Sequence, residues 1–562
     1  MTFEEGRKQM QISGTKTIRS FGLMASLTSL IALMGCQQDS ASPASGASGE
    51  TVKSEAVGQA PEKVGLVTTK DGDLQGVLQK DAAYISYLGV PFAKPPVGSL
   101  RWAPPEPIES WEGVRDAGTY GPDCMQVAAK PGAWNYTEDQ NYSEDCLYLN
   151  VFVPEKARYS GSPLPVMVWF YGGGFFAGGA SQDVYRDPTA YTDENVILVI
   201  PNYRVGAFGY LAHPDLSAKS ESGVSGNYGT MDNIAALEWV QDNIAAFGGN
   251  PDNVTVFGES ASSIIANVLL STPSASDLWS KGIAQSGAIW GLTPPMKTLE
   301  QAESWGEEFL SARGATTAEE ARALPAEAIT GLTSEEAVEH QFGFQPIADG
   351  QLTPRTTGDT FLLKEQDSKP IIIGWTRDEA AGFFPPIESE EAMMSWFNSQ
   401  FGATGAELAE AYLERDGQYR DAMIGAASGS IGQGTLVEAA IHSEKSDIWV
   451  YRFDHPAPGQ DYAVHGVDVS YTFGHFPDGV NWTDVDRKLS EDLVSYWVSF
   501  AKSGEPDAFG LPEWPKYVPE NPEILYFDTP VRVGEIENYG RLMKTIKTEN
   551  YSRDPALKAL QE

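Results

Sequence analysis

The stretch VTVFGESASSIIANVLL, residues Val254 to Leu270, has residue types and spacing that could support nucleophilic chemistry. Four apolar or β-branched residues lead into Gly258-Glu259-Ser260-Ala261-Ser262, and an apolar helical run follows. This order predicts a strand, a sharp turn and a helix, an arrangement that exposes the hydroxyl of the turn serine. The backbone N–H of the next residue then faces the oxygen that becomes charged when the serine attacks a carbonyl. Ser260 is therefore a candidate nucleophile and Ala261 a candidate oxyanion donor, although Ser262 stands where the usual G-x-S-x-G pattern ends in glycine.

A second glycine-rich stretch, Gly172-Gly173-Gly174, follows the apolar run from Val166 to Phe170. A glycine loop at a strand end can supply the other half of an oxyanion hole. A phosphate-binding loop and a simple tight turn are the alternatives. No Gly-Lys-Ser/Thr sequence follows, and the aromatic pair Phe175-Phe176 is unsuited to phosphate, so the oxyanion interpretation is favoured.

A serine hydroxyl becomes a good nucleophile only when a base accepts its proton and a third group orients that base. In folds with this elbow the chain order is serine, acid, histidine, with the base after a late strand. Three histidines satisfy that order: His455, His465 and His475. Asp378 and Glu379 are both candidates for the acid, and residue chemistry alone leaves these alternatives open.

The elements that must position these residues form an α/β pattern, since strand-like runs alternate with helical stretches from Val64 onward. The predicted strands are Val166 to Phe170, Val196 to Ile200, Val254 to Phe257, Pro370 to Ile373 and, as the last clear one, Ile448 to Phe453. The predicted helices are Asn233 to Ala246, the stretches from about Glu300 to Phe342 and from Glu390 to Ala440, and a stretch around Leu489 to Phe500. With the elbow, this predicts an α/β-hydrolase fold: a large, mostly parallel central sheet, helices on both faces, and helical insertions that roof the active site.

The N-terminus has the features of an export signal. A region with four basic residues precedes an apolar run of roughly a dozen residues, too short to span a membrane. The run ends in Leu33-Met34-Gly35-Cys36, which resembles the lipobox of bacterial lipoproteins. We therefore expect a signal peptide over residues 1–35, lipidation of Cys36, and a flexible Ser/Ala/Gly/Pro tether over 36–62. An ordinary signal peptide with an incidental cysteine is the alternative.

Composition excludes several classes of protein. Hydrophobic residues make up 41% of the chain, which is enough for a substantial core. The formal net charge of −38 argues against a nucleic-acid partner, because phosphates would be repelled, and favours a soluble or salt-adapted surface over steering of cationic substrates. No clustered His/Cys spacing suggests a metal site. In an exported protein Cys124 and Cys146 predict a disulfide, with two buried free thiols as the alternative.

Longer blocks of sequence resemble the type-B carboxylesterases, a family that includes the cholinesterases. The resemblance runs from about Val64 to Asp528. The blocks are GVPFAKPPVGSLRW at Gly89, SEDCLYLNVFVP at Ser143, VWFYGGGFFAGG at Val168, NYRVGAFGYL at Asn202, FGESAS at Phe257, DEAAGFF at Asp378, AVHGVDVSYTFG at Ala463 and YWVSFAKSGEPD at Tyr496. Their order along the chain is more specific than any five-residue motif. The resemblance implies one α/β-hydrolase domain over residues 63–556.

The resemblance also implies a role for each site residue. It places the nucleophile on Ser260, the acid on Glu379 rather than Asp378, and the base on His465. It places the oxyanion donors on Gly173, Gly174 and Ala261, and the family disulfide on Cys124 and Cys146.

Ser262 and Ala380 depart from the family pattern, since each replaces a glycine by a small side chain. Trp134 lies near the position of the cholinesterase indole that binds quaternary ammonium, but its spacing to Cys146 differs and choline esters are not favoured.

The implied activity is that of a serine carboxylic-ester hydrolase, which forms an acyl-enzyme on small to medium esters and needs no cofactor or metal. Two alternatives remain at this point: a non-catalytic binding or adhesion protein on the same fold, and an amidase or carbamate hydrolase with the same triad. The expected location is the bacterial cell envelope, with the lipid at Cys36 as the only membrane contact. The sequence leaves the natural ester and the oligomeric state open.

Overall fold

The computed structural model describes residues 63–131, 133–159, 161–290, 296–330, 343–383, 387, 389–402 and 405–536. The expected signal peptide, the tether and Cys36 lie outside these residues, as do residues 537–556 of the expected domain. The boundaries at residues 35, 62 and 556 and the lipidation of Cys36 therefore stay predictions.

The described chain builds its fold on strands β1 to β15. They are β1 (Lys63–Thr68), β2 (Asp73–Gln79), β3 (Tyr84–Pro91), β4 (Val114–Asp116), β5 (Asp123–Cys124), β6 (Tyr142–Ser143), β7 (Tyr148–Pro154), β8 (Leu164–Phe170), β9 (Ile197–Pro201), β10 (Gly249–Glu259), β11 (Lys281–Gln285), β12 (Ile371–Thr376), β13 (Ile448–Phe453), β14 (Glu523–Phe527) and β15 (Arg532–Glu535). Thirteen strands form one sheet in the order β1-β2-β3-β7-β9-β8-β10-β11-β12-β13-β14-β15, with β4 paired to β2. The remaining two, β5 and β6, pair with each other.

The middle of the large sheet is parallel from β9 through β8, β10, β11, β12 and β13 to β14. Its strands are short apolar runs because both faces are covered: every residue of β9 and of β12 is buried. The prediction of a large sheet with a parallel centre is confirmed. The sequence positions of β8, β9, β12 and β13 also agree with the predicted ones to within a few residues, whereas β10 is longer than predicted and β11 was not predicted.

The two edges of the sheet differ from the prediction. On one side β1, β2, β3 and β7 pair antiparallel, and the first α-helix in the described chain begins only at Thr189. Strands and helices therefore do not alternate in this part. On the other side β14 and β15 follow β13, so Ile448–Phe453 is not the last strand.

The helices fall between these strands. They are α1 (Thr189–Thr192), α2 (Gly206–Tyr210), α3 (Pro214–Lys219), α4 (Tyr228–Asn243), α5 (Ala261–Leu270), α6 (Leu299–Ser311), α7 (Ala318–Arg322), α8 (Ala326–Thr330), α9 (Thr357–Leu362), α10 (Glu390–Phe401), α11 (Gly405–Asp416), α12 (Tyr419–His442), α13 (Val467–Phe473) and α14 (Asp484–Ser503). Helices α4, α5 and α14 all contact β10, the strand that leads to Ser260. Of the described helices, none is long and apolar enough to cross a membrane.

The predicted insertions are helical where they are described. Helices α6, α7 and α8 lie between β11 and β12, and α10, α11 and α12 lie between β12 and β13. The second group has a hydrophobic core of its own, in which Met393 and Phe397 pack with Ala380, Ala381 and Phe383. Because these last residues directly follow Glu379, the insertion packs against the loop that carries the candidate acid.

A buried ion pair fastens the loop after β9 to α4. Arg204 donates two guanidinium hydrogen bonds to Asp232, at 2.7 and 2.8 Å, and its backbone N–H donates a third at 3.0 Å. Both side chains are almost fully buried, at 3% and 0% exposure. The two guanidinium–carboxylate hydrogen bonds compensate both charges for the water contacts that they lose on folding.

Replacing Asp232 with alanine should lower the free energy of unfolding by about 3–5 kcal/mol, because it leaves the Arg204 charge buried without its partner. Urea denaturation followed by tryptophan fluorescence measures the change. Asp242→Ala, which breaks the exposed Lys70–Asp242 pair, is the matched control and should shift the midpoint far less. Equal shifts in the two variants would contradict the assigned importance of burial.

Candidate active site

The turn between β10 and α5 has the predicted elbow shape. Ser260 has φ 59° and ψ −120°, a region that costs a non-glycine residue about 1–3 kcal/mol. Its N–H donates to the Gln285 carbonyl at 2.8 Å, which ties the turn to β11. Close packing requires the glycine before it, since a Cβ on Gly258 would lie 2.8 Å from the Phe170 carbonyl oxygen.

The elbow accommodates Ser262 in the place of the usual glycine. The side chain is fully buried, and its hydroxyl donates to the Glu259 carbonyl at 2.7 Å. A buried hydroxyl is costly only when it lacks a partner, and this one has a partner within its own turn. The departure from the pattern therefore changes the local packing without removing the strained turn.

Three side chains from distant parts of the chain meet at this elbow. The Nε2 atom of His465 lies 2.9 Å from Ser260 Oγ, and its Nδ1 atom lies 2.5 Å from Glu379 Oε2. The other Glu379 oxygen accepts the Thr376 N–H at 2.8 Å, so the fully buried carboxylate is held at both oxygens. The parallel order of β10, β11, β12 and β13 brings the ends of these strands together at one edge of the sheet.

The competing candidates make other contacts. His455 Nε2 is 3.0 Å from Asp486 Oδ1. His475 follows α13, where its backbone N–H donates to the Ser470 carbonyl at 2.9 Å. Asp378 is close to the site, but its Oδ2 accepts the Ala463 N–H at 3.0 Å. It thus fastens the loop that carries His465. Among these candidates, the structure brings His465 and Glu379 together with Ser260.

The glycine loop after β8 packs directly on the elbow. A Cβ on Gly172 would lie 3.2 Å from the Ser260 Cβ, and Gly173 and Gly174 have φ of +111° and +61°, which glycine adopts without strain. Ala261 is the first residue of α5, so its N–H is one of the amides that no intrahelical bond uses. These backbone donors therefore border the nucleophile from two elements, as an oxyanion hole requires.

Residues 63–551 match the model of the carboxylesterase family. The chain belongs to this family. It is 35% identical over 489 residues to the fumonisin B1 esterase of Sphingopyxis macrogoltabida, covering 83% of this chain and 87% of that protein. It is also 35% identical over 486 residues to the para-nitrobenzyl esterase of Bacillus subtilis, covering 83% and 96%.

A solved structure of a PNB esterase superposes with a TM-score of 0.74 at 33% identity, covering 85% of this chain and 99% of the other. The α/β-hydrolase fold of the carboxylesterase and its enzymatic class, hydrolysis of carboxylic esters, follow from these matches.

Sequence reasoning did not assign two acidic side chains of this carboxylesterase site. Glu259 Oε1 lies 3.2 Å from His465 Nε2, on the side that also faces Ser260. Asp468 is fully buried and accepts hydrogen bonds from Gln285 and from the Tyr451 hydroxyl, both at 3.0 Å. The sequence contains a signal for each acid: Glu259 lies inside the elbow motif, and Asp468 follows His465 by three residues.

Acidic side chains around His465 shift the pKa of its imidazole. Burial lowers the pKa of His465, but the carboxylates of Glu259 and Glu379 outweigh it and raise that pKa above 6.5. Burial raises the pKa of Glu259 to about 8, and the positive charge of His465 opposes that rise. An ionised Glu259 therefore favours the imidazolium form of His465.

Replacing Glu259 with glutamine should lower the pKa of His465, because one of the carboxylates that favour the imidazolium is lost. The acid limb of the kcat/KM profile then moves to lower pH, since His465 is active in its neutral form. The high-pH plateau of kcat/KM should fall about tenfold. The attraction between Glu259 and the imidazolium is also lost in the transition state, where His465 carries the proton.

The measurement is a pH profile of ester hydrolysis for the two enzymes. Glu438→Gln is the control: Glu438 is also buried with a raised pKa, but its carboxylate accepts the Ile289 N–H at 2.8 Å. The acid limb of the kcat/KM profile of Glu438→Gln should lie at the same pH as that of the parent. An unmoved limb in Glu259→Gln would show that Glu259 does not influence the base.

Cys124 and Cys146 form a disulfide, with Cα atoms 4.9 Å apart and both residues buried. In the structure the two cysteines thus take the disulfide-bonded form. Trp134, inside the segment that the disulfide closes, is 52% exposed, and its ring lies 2.7 Å from where a Gly173 Cβ would be. The indole thus borders the glycine loop at the surface.

Within the described ranges, no group of three or more His, Cys, Asp or Glu side chains could hold a metal ion.

Proposed function

We propose that this carboxylesterase hydrolyses small to medium carboxylic esters through a Ser260–His465–Glu379 triad and an acyl-enzyme. The observation that carries the proposal is the continuous pair of contacts from Ser260 Oγ through both nitrogens of His465 to Glu379. A nucleophile, a base and an orienting acid in this order are the minimum for serine acyl transfer.

In the first step Ser260 Oγ attacks the ester carbonyl carbon while His465 Nε2 accepts the hydroxyl proton. Glu379 accepts the Nδ1–H bond, which holds the neutral imidazole with its lone pair toward the serine. The carbonyl oxygen becomes an oxyanion, and the N–H groups of Gly173, Gly174 and Ala261 stabilise it. Each such donor contributes about 3 kcal/mol to the transition state.

In the second step the His465 imidazolium gives its proton to the leaving alkoxide oxygen as the ester C–O bond breaks. The alcohol departs and the acyl group stays on Ser260. Water then attacks the acyl-enzyme, with His465 accepting its proton and returning one to Ser260 Oγ. The enzyme is restored, and the products are one acid and one alcohol.

Apolar surroundings support an uncharged ester substrate. The Phe383 ring centroid lies 5.7 Å from that of His465, so an aromatic wall borders the base. Phe176, two residues after the glycine loop, borders a small cavity that is lined mainly by apolar side chains, among them Met125 and Phe344. The two relatives named above are esterases by name, one of fumonisin B1 and one of para-nitrobenzyl esters.

The test is hydrolysis of p-nitrophenyl acetate, butyrate and octanoate, with labelling by a fluorophosphonate probe. We expect turnover, an initial burst when deacylation is slower than acylation, and one probe per chain on Ser260. Paired ester and anilide substrates separate an esterase from an amidase. A folded protein that neither turns over these esters nor takes up the probe would support the binding-protein alternative instead.

We also propose that the mature protein is anchored to the bacterial cell envelope by lipid on Cys36. Support comes from the basic region, short apolar run and Gly35-Cys36 junction at the N-terminus. Metabolic labelling with an alkyne fatty acid should mark the parent and not Cys36→Ser. Equal labelling, or none in either protein, would overturn the anchor.

A further inference from the structure

The glycine loop that borders Ser260 is held at its far end by side chains. Four consecutive backbone N–H groups each donate to a side-chain oxygen. Gly178 donates to Gln126 at 2.9 Å, Gly179 to Gln182 at 3.2 Å, Ala180 to Asn202 at 2.9 Å and Ser181 to Asp123 at 3.3 Å. Such an uninterrupted row leaves this end of the loop little freedom to shift.

Gln126 makes the most complete of these contacts. Its Oε1 accepts the Gly178 N–H at 2.9 Å, and its Nε2 donates to the Gly178 carbonyl at 2.6 Å. The same Nε2 donates to the Cys124 carbonyl at 3.0 Å. The side chain is only 6% exposed, so water competes weakly for these bonds. One amide thus joins Gly178 to the disulfide-bonded Cys124.

Gly178 in turn supports the beginning of the loop. Its φ is +114°, and a Cβ there would lie 2.8 Å from the Gly172 carbonyl oxygen and 2.6 Å from the Tyr171 ring. The two ends of the loop therefore pack against each other, with Gly173 and Gly174 between them. A shift of Gly178 would be transmitted to both donors, because interiors this tightly packed do not absorb displacement.

We propose that Gln126 is a positioning residue, which holds Gly178 and thereby sets the Gly173 and Gly174 N–H groups for the oxyanion. This rests on the proposed function, since it concerns the transition state of that reaction. Gln126 acts on the oxyanion donors through the loop and touches none of the three triad side chains by hydrogen bond. Its loss should therefore weaken transition-state stabilisation more than substrate binding.

The test is Gln126→Met, which keeps the length of the side chain and removes its hydrogen bonds. We expect kcat for p-nitrophenyl butyrate to fall about 10- to 100-fold, because small displacements of catalytic groups have effects of this size. KM should change less than threefold. Inhibition by a trifluoromethyl ketone, whose serine adduct carries an oxyanion, should weaken by the same factor as kcat/KM.

Gln140→Met is the matched control. Gln140 lies in the same disulfide-closed segment, but its Nε2 donates to the Ala129 carbonyl at 3.0 Å, within that segment. This variant should keep kcat within twofold. If Gln126→Met does not fold, Gln126→Asn carries the test. It keeps the amide on a shorter side chain that cannot reach both Gly178 and Cys124, and kcat should fall at least threefold.

Unchanged kcat in a folded Gln126 variant, or a loss confined to KM or to thermal stability, would overturn the positioning role. The parent enzyme separates this outcome from failure of the proposed function. If the parent hydrolyses no ester and takes up no fluorophosphonate, the triad mechanism fails. If the parent is active and only the Gln126 prediction fails, the positioning role alone is wrong.

Discussion

Ser260→Ala is expected to lower kcat/KM for p-nitrophenyl esters by about 10⁴- to 10⁶-fold, the largest effect of any single change in this enzyme. Alanine removes the only atom that can form the acyl bond, and a water in its place lacks the orientation that the elbow imposes. The fold should survive. Without Oγ the strained backbone is still held by the Gln285 carbonyl and by the close packing around Gly258.

Stopped-flow assays of the parent and assays of Ser260→Ala over hours measure this loss. Fluorophosphonate labelling of the two proteins accompanies them. Ser262→Gly is the matched control, because it removes a hydroxyl from the same turn but from the buried side that bonds to the Glu259 carbonyl. We expect it to change kcat/KM less than tenfold. Activity within tenfold of the parent in Ser260→Ala would mean that another residue is the nucleophile.

The elbow could be predicted from sequence because its determinants are local. The strand, the turn and the helix are adjacent in the chain, and small residues at Gly258 and Ala261 are needed within a few ångströms of Ser260. The base and the acid are different. His465 is 205 residues from Ser260 and 86 from Glu379, and only the strand order brings them together. Spacing therefore left several histidines and carboxylates open, and longer blocks of resemblance were needed to choose.

Other features of the site depended on how loops pack, which periodicity does not encode. The approach of Glu259 to His465 results from the direction of a side chain inside the elbow. The contact of Gln126 with Gly178 spans 52 residues and two loops. The antiparallel edge β1-β2-β3-β7 was also missed. Its strands are 6 to 8 residues long, but buried and partly exposed positions do not alternate regularly in β2 and β3, so their pattern did not separate them from an alternating α/β order.

Glu379→Gln is expected to lower kcat about 10³- to 10⁴-fold while leaving the fold and KM nearly unchanged. The reason lies in what each oxygen of Glu379 contacts. One accepts the Thr376 N–H at 2.8 Å, and the other lies 2.5 Å from His465 Nδ1. A glutamine must keep its carbonyl oxygen on the Thr376 N–H, because its NH₂ group would there meet a second donor.

That orientation turns the glutamine NH₂ toward His465 Nδ1, which must then be the acceptor. The imidazole proton moves to Nε2, and His465 can no longer accept the Ser260 proton. The loss thus comes from the wrong tautomer, with all heavy atoms in place. The rate of fluorophosphonate labelling should fall in parallel with kcat, since both need an activated Ser260.

Asp378→Asn controls for the loss of a neighbouring charge. Its Oδ2 accepts the Ala463 N–H at 3.0 Å, and asparagine can present a carbonyl oxygen to the same donor. Its kcat should therefore stay within about tenfold of the parent. If Asp378→Asn lost as much activity as Glu379→Gln, the acid would have to be reassigned, or both residues would act by positioning the His465 loop. A large loss in Glu379→Gln alone, at unchanged melting temperature, would identify Glu379 as the group that sets the tautomer of the base.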